Sequence, residues 1–299
     1  LNSRVTWRVA AAYIEASLMT LSSTLRRRYC NIGGTKVAYV EYGEGPAVVL
    51  IHGIGHSLFA WRKNLLPIAQ AGYRTLAFDI PGFGFSDFRN FPDIASFDIF
   101  FQELIDYFGY SKYSIVGNSL GGHLGFHISA RHPDRVESLI MLSPAGATSD
   151  VYFPFRFMST RLGQYFEPKV TRKLVENALR TVFADPSNIE EEIDHIMLYA
   201  TDDRFKRAFN SMLRAGLNLK GIKPEFRMDL WYHKIQCPVM VIWGDSDRVL
   251  SVEGAQIIKE HIPQTEVVIL EKVGHCPQIE AYATVNKLII DFLTKNIRN

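Results

Sequence analysis

The 299-residue chain reads as an α/β fold: a mostly parallel sheet flanked by helices, with a helical segment inserted between two of its strands. Three observations predict this. Short buried β-branched runs alternate with helical patterns on both sides of the chain's middle, as a parallel sheet with crossover helices requires. The alternation stops between about residues 147 and 230 and then resumes. Finally, Tyr113–His132 passes from a strand pattern through a glycine-rich turn directly into a helix.

Composition sets the outer limits. The chain is 47% hydrophobic and 21% charged, ordinary for a globular protein with a large core. A net charge of +2 gives no electrostatic reason to expect a nucleic-acid partner. Cys30, Cys237 and Cys276 are an odd, scattered set without metal-ligand spacing, which argues against a disulfide framework and for a reducing, cytoplasmic setting.

In chain order, residues 1–28 come first. Trp7, Ala11, Ile14, Leu18, Leu21 and Leu25 recur every three or four residues and make one apolar helical stripe, flanked by Arg4, Arg8 and Arg26–Arg28. Glu15 interrupts the run, which is too short and broken for a membrane span, and no small-residue cleavage site follows. An amphipathic helix here would pack on its own domain, associate with a second copy, or lie peripherally on a membrane.

Tyr29–Ile32 and Lys36–Tyr42 are predicted as strands of a hairpin closed by Gly33-Gly34. Ala47–Ile51 is an unbroken apolar run, as in a strand covered on both faces. A helix is expected around Trp61–Ala71, a strand at Arg74–Phe78, a helix at Phe97–Phe108 and a strand at Tyr113–Val116. A helix then runs from beyond Ser119 to before Pro133, and Ser138–Leu142 is the next strand. The aromatic, charged segment 147–230 has possible helices at Lys169–Phe183 and Ile189–Tyr199 and is expected to cap the sheet's carboxyl edge. Strand Val239–Trp243, helix Val252–His261, strand Glu266–Leu270 and helix Ala281–Ile297 complete a core of 29–146 and 231–299.

The chemistry-bearing positions gather at that edge. Gly117-Asn118-Ser119-Leu120-Gly121 has the strand–turn–helix context that a G-x-S-x-G nucleophile needs. A serine hydroxyl attacks poorly until a base accepts its proton and a third group orients that base. Strand Val239–Trp243 runs into Gly244-Asp245-Ser246-Asp247, and strand Glu266–Leu270 runs towards Gly274-His275. Both loops therefore lie at strand carboxyl ends, where Ser119 also lies. The order Ser, Asp, His completes a triad pattern, with Ser119 as nucleophile, His275 as base and either Asp245 or Asp247 as the orienting acid.

VVLIHGIG, FDIPGFGFSD, VGNSLGG, PVMVIWGDSD and VGHCPQIE resemble the α/β-hydrolase superfamily, over nearly all of the chain after Tyr29. The resemblance implies the α/β-hydrolase fold and selects Asp247, three residues after the glycine, over Asp245. It implies a catalytic triad of Ser119, Asp247 and His275, with the backbone N–H groups of Ile54 and Leu120 as the oxyanion hole. It implies no metal and no organic cofactor.

Among the remaining candidates, Asp79 and His52 read as turn residues, and His123 and His127 as packing or surface residues of the nucleophile helix. Serine at position 119 argues against haloalkane dehalogenase or epoxide hydrolase chemistry, for which the resemblance requires aspartate. The expected activity is hydrolysis of carboxylic esters of apolar acyl or aryl substrates, as in a carboxylesterase or small lipase. Aromatic residues of the inserted segment, among them Phe153, Phe155 and Tyr165, suit an apolar pocket. The alternative is a carbon–carbon bond hydrolase of the meta-cleavage-product type, whose loops DIPGFGFSD and GNSLGG resemble. That group has asparagine about where this chain has Lys63, and tryptophan where it has Cys276. A triad-bearing small-molecule receptor is the third reading.

Overall fold

The computed structural model describes residues 26–165 and 169–297; the stripe at Trp7–Leu25 lies outside the described residues. Eight strands form one sheet: β1 (Arg28–Ile32), β2 (Thr35–Tyr42), β3 (Ala47–Ile51), β4 (Arg74–Phe78), β5 (Tyr113–Asn118), β6 (Val136–Leu142), β7 (Val239–Gly244) and β8 (Glu266–Leu270). Their order is β1-β2-β4-β3-β5-β6-β7-β8. β1 pairs antiparallel with β2, and β2 with β4; every later pairing is parallel. This is the α/β-hydrolase fold.

The hairpin turn follows from its glycines. Ile32 pairs with Thr35, leaving only Gly33 and Gly34, at φ 53° and 83°, to reverse the chain. Two consecutive left-handed residues are what a tight hairpin demands and what glycine adopts without a Cβ clash. β3 and β5 are wholly buried, and apolar side chains fill the space above and below the sheet.

The helices are α1 (Leu65–Gln70), α2 (Ile94–Tyr107), α3 (Leu120–Arg131), α4 (Phe153–Met158), α5 (Arg161–Tyr165), α6 (Arg172–Val182), α7 (Glu190–Met197), α8 (Asp203–Gly216), α9 (Glu253–His261), α10 (Pro277–Glu280) and α11 (Tyr282–Asn296). Two expectations are corrected. The helix expected over 61–71 is a 3-10 turn, Leu58–Trp61, followed by the short α1. Pro67 is harmless in the first turn of α1, but its ring would strike the carbonyl four residues back in a helix running through it. Arg28, assigned by its charge to the end of the N-terminal helix, instead opens β1. Its backbone pairs with Tyr39, and its guanidinium lies near Glu41.

Between β6 and β7 the described chain forms α4–α8 and a small hairpin, Leu217–Asn218 with Gly221–Ile222. α8 went unread in the sequence. Its signals are Asp202, whose carboxylate caps the Arg204 N–H at 2.7 Å, and an apolar face carrying Ala208 and Leu213.

Candidate active site

The turn between β5 and α3 is built on close approach. Ser119 sits at φ 54°, ψ −114°, outside the regions that L-residues ordinarily occupy. A Cβ on Gly117 would stand 2.3 Å from the Gly121 carbonyl oxygen, and one on Gly121 would stand 2.1 Å from that of Ile51. Only glycine lets the turn fold this tightly against β3. Such strain is held in place by its surroundings and occurs at functional sites. Here the Ser119 N–H donates to the Leu142 carbonyl at 2.9 Å, and the Ser119 carbonyl accepts from His123 and Ala145.

Asp247 and His275 arrive from the ends of β7 and β8. His275 Nδ1 lies 2.8 Å from Asp247 Oδ2, and both side chains are buried. Asp247 is held on all sides: Oδ2 also accepts from Trp243 Nε1 at 3.0 Å, and Oδ1 accepts the N–H groups of Val249 and Leu250 at 2.8 and 3.0 Å. Burial raises its pKa, but the imidazole and the two backbone donors outweigh that and hold the carboxyl below its usual value. With Asp247 ionised and accepting, the proton of His275 is held on Nδ1, leaving Nε2 free to accept another.

Asp245 does something else. Its Oδ1 accepts from Ser246 Oγ and the Lys272 N–H, each at 2.8 Å, so it ties the two loops together. No hydrogen bond among the described residues joins Ser119 Oγ to His275; Asn118 connects their neighbourhoods instead. Its Nδ2 donates to the His275 carbonyl at 3.0 Å and to that of Leu142 at 3.1 Å.

Asn118 is one of two residues whose part was not legible beforehand. The other is Glu280, whose carboxylate accepts the N–H groups of Ala184, Gly274 and Cys276 at 2.7, 3.0 and 3.2 Å and so fixes the loop bearing His275. The only hint in the sequence is that both lie within the two motifs, at positions where polarity is otherwise unexplained.

The loop after β3 carries Ile54. A Cβ on Gly53 would lie 3.3 Å from that of Ser119, so this loop touches the Ser119 turn. No hydrogen bond among the described residues uses the N–H of Ile54 or Leu120. His52 is a strut: its Nε2 accepts the Ile80 N–H at 2.9 Å while Nδ1 lies 2.8 Å from the Gly53 carbonyl. Full burial lowers its pKa to about 3, so it remains neutral. Asp79 caps two turns, accepting the N–H groups of Leu58 and Phe85, and burial pushes its pKa up to about 6. Neither residue lies in the cavity described next.

Ser119, Leu120 and Ile54 line one cavity of about 860 Å³ of open space, its mouth included, whose other walls are almost entirely apolar. The inserted segment supplies Phe155, Met212 and Phe226 among them. Asp93 and His123 are the only ionisable liners. Lys63 stands elsewhere, over the Tyr282 ring at 4.6 Å, and Cys276 is buried against Asn118. Phe153 and Tyr165 are turned to the exterior. No group of His, Cys, Asp and Glu among the described residues could hold a metal ion. No described helix is long and apolar enough to cross a membrane.

The chain is similar to known proteins. The chain is 28% identical over 265 residues to a 2-hydroxy-6-oxononadienedioate/2-hydroxy-6-oxononatrienedioate hydrolase of Pseudomonas putida, covering 85% of this chain and 90% of the relative. It is 29% identical over 279 residues to 2-hydroxy-6-oxo-6-(2'-aminophenyl)hexa-2,4-dienoic acid hydrolase of Metapseudomonas resinovorans, covering 90% and 91%. The crystal structure of a bacterial membrane phospholipase A superposes with a TM-score of 0.81 at 24% identity, over 98% of this chain and 94% of the other, a likeness of fold. A family model described as the alpha/beta hydrolase fold matches residues 46–282. The chain belongs to that family and is a hydrolase.

Proposed function

We propose that the protein hydrolyses carboxylic esters of apolar acyl or aryl substrates through an acyl-enzyme. Ser119 attacks the ester carbonyl while His275 Nε2 takes its proton, and Asp247 holds the imidazole tautomer and stabilises the imidazolium. The N–H groups of Ile54 and Leu120 receive the developing oxyanion; losing one such donor typically costs ~10²–10³ in turnover. His275 then returns its proton to the leaving alcohol and activates the water that releases the acid. The inserted helices act as a cap that shields these steps from bulk water.

The observation that carries the choice of substrate is the cavity wall. It presents no lysine or arginine, so a carboxylate drawn into it would lose its hydration without gaining a partner cation. A neutral ester carries no such penalty.

A second reading is carbon–carbon bond hydrolysis, and the named relatives favour it over esters: two are hydrolases of 2-hydroxy-6-oxo-dienoic acids. A paired turnover assay separates the two. Under the ester reading, p-nitrophenyl esters from acetate to laurate turn over with a chain-length optimum, and a 2-hydroxy-6-oxo-dienoate is cleaved slowly or not at all. Preferential cleavage of the dienoate would replace the ester reading with the second. A single acylation without further turnover would replace both with a receptor.

A further inference from the structure

Helix α3 places a second polar side chain beside the nucleophile. The His123 N–H donates to the Ser119 carbonyl at 3.0 Å, so the two residues stand about one helical turn apart along the backbone, ~5.4 Å. His123 is buried yet lines the same cavity as Ser119, among Leu124, Phe226 and Met212. Nδ1 faces the Ala145–Gly146 backbone without a hydrogen bond of good geometry and is sealed there, where a Cβ added to Gly146 would meet it at 2.6 Å. That leaves Nε2 as the nitrogen on the cavity side.

The neighbouring ring of His127, 4.6 Å away at 69°, offers no hydrogen bond, since neither of its nitrogens is partnered. It is walled in by Phe126 and Trp231. His123 alone of the pair reaches the cavity. Leucine or phenylalanine would fill this wall without burying a polar ring, so packing does not account for imidazole here.

We propose that His123 is a specificity-determining residue that hydrogen-bonds a hydroxyl group on the chain of the substrate, about four to six carbons from the reacting carbonyl. The substrates are thus hydroxylated acyl or aryl esters rather than plain alkyl ones. A hydroxyl both donates and accepts, so it satisfies a neutral imidazole in either tautomer, whereas a ketone or ether only accepts. Burial supports the neutral form, lowering the His123 pKa to about 4. Spacing follows from the turn of helix: an extended chain of about five carbons spans it.

The inference rests on the ester reading for its reaction but not for its binding, and the test treats them separately. Turnover of p-nitrophenyl 6-hydroxyhexanoate is compared with that of the hexanoate in the wild type, His123→Leu and His123→Gln. The hydroxyl-to-alkyl ratio of kcat/KM should fall about tenfold in the leucine variant, carried mainly by KM, and return with glutamine, which restores hydrogen-bonding capacity. Titration calorimetry of 7-hydroxyheptan-2-one against heptan-2-one, on Ser119→Ala with and without His123→Leu, reads the same preference without any reaction.

An unchanged ratio in a leucine variant that still reacts with a fluorophosphonate would overturn the inference, as would equal binding of the two ketones to Ser119→Ala. If neither ester turns over but the ketone preference is present and is lost with His123, the ester reading fails and the role of His123 stands. Should the leucine variant not fold, His123→Phe carries the same comparison.

Discussion

Replacing Asp247 by asparagine, with Asp245→Asn as its control, tests the site most directly. Asp247 makes four contacts and, as a carboxylate, acts in all of them as acceptor: His275 and Trp243 on Oδ2, Val249 and Leu250 on Oδ1. An amide has one acceptor oxygen and one donor nitrogen. If the oxygen stays with the two backbone N–H groups, the NH₂ faces Trp243 Nε1–H and His275 Nδ1. His275 must then accept at Nδ1 and carry its proton on Nε2, the tautomer that cannot deprotonate Ser119.

The donor-to-donor contact with Trp243 adds a stability loss of about 1–3 kcal/mol. Turnover should fall ~10³–10⁴-fold, the scale for a triad acid made neutral, with KM little changed. Asp245 loses almost nothing as asparagine, because its two contacts both use one oxygen that an amide retains. Asp245→Asn should therefore stay within about threefold of wild type, well under 1 kcal/mol. Steady-state turnover on the best p-nitrophenyl ester, with circular dichroism to verify folding, reads both variants. Asp247→Asn retaining a tenth of wild-type activity, or Asp245→Asn losing as much, would refute the assignment.

Further outcomes follow from the same geometry. Ser119→Ala should abolish labelling by a fluorophosphonate without unfolding the protein. Ser119→Gly should be about 1 kcal/mol more stable than Ser119→Ala, because glycine relieves the backbone at φ 54°; equal melting temperatures would mean no strain is stored there.

The buried histidines make the protein acid-sensitive. Burial lowers His52 and His127 to about 3 and about 2, from the ordinary imidazole value of 6.5. Between that value and the folded ones the unfolded chain binds more protons, so stability is complete above pH 6.5 and falls as pH drops below it. The slope is ~1.4 kcal/mol per pH unit for each such histidine. Thermal melts from pH 8 to 4 read this, and a flat profile down to pH 4.5 would contradict it.

Glu192 on α7 is buried between Arg62 and His56, with its Oε2 3.0 Å from His56 Nε2, and pins the inserted segment to the loop that carries Ile54. Glu192→Leu removes the carboxylate partner of His56 and leaves Arg62 paired with Glu191 alone, and should cost about 3 kcal/mol. Its melting temperature should drop markedly, whereas substitution at the half-buried Glu191, which pairs with Arg62 from the solvent side, should move it less.

The sequence by itself determined the sheet and the chemical order of the site. The run Ala47–Ile51 matches the observed strand residue for residue, because a strand covered on both faces must be continuously apolar. Ser119, Asp247 and His275 were legible because each lies in the turn or loop after a strand, and the chain's alternation places all those strand ends on one edge. Tertiary structure alone decided between the neighbouring carboxylates on physical grounds. Asp245 and Asp247 have the same chemistry two residues apart, and only the folded loop turns one toward His275 and the other toward Lys272.

It likewise decided the parts of His123, Asn118 and Glu280, whose significance lies in contacts with residues distant in the chain or in the cavity they face. Local pattern reports which side of an element is buried. What that side meets depends on the packing of α8, Phe155 and Phe226 over the sheet edge, set by long-range contacts that no window of sequence contains.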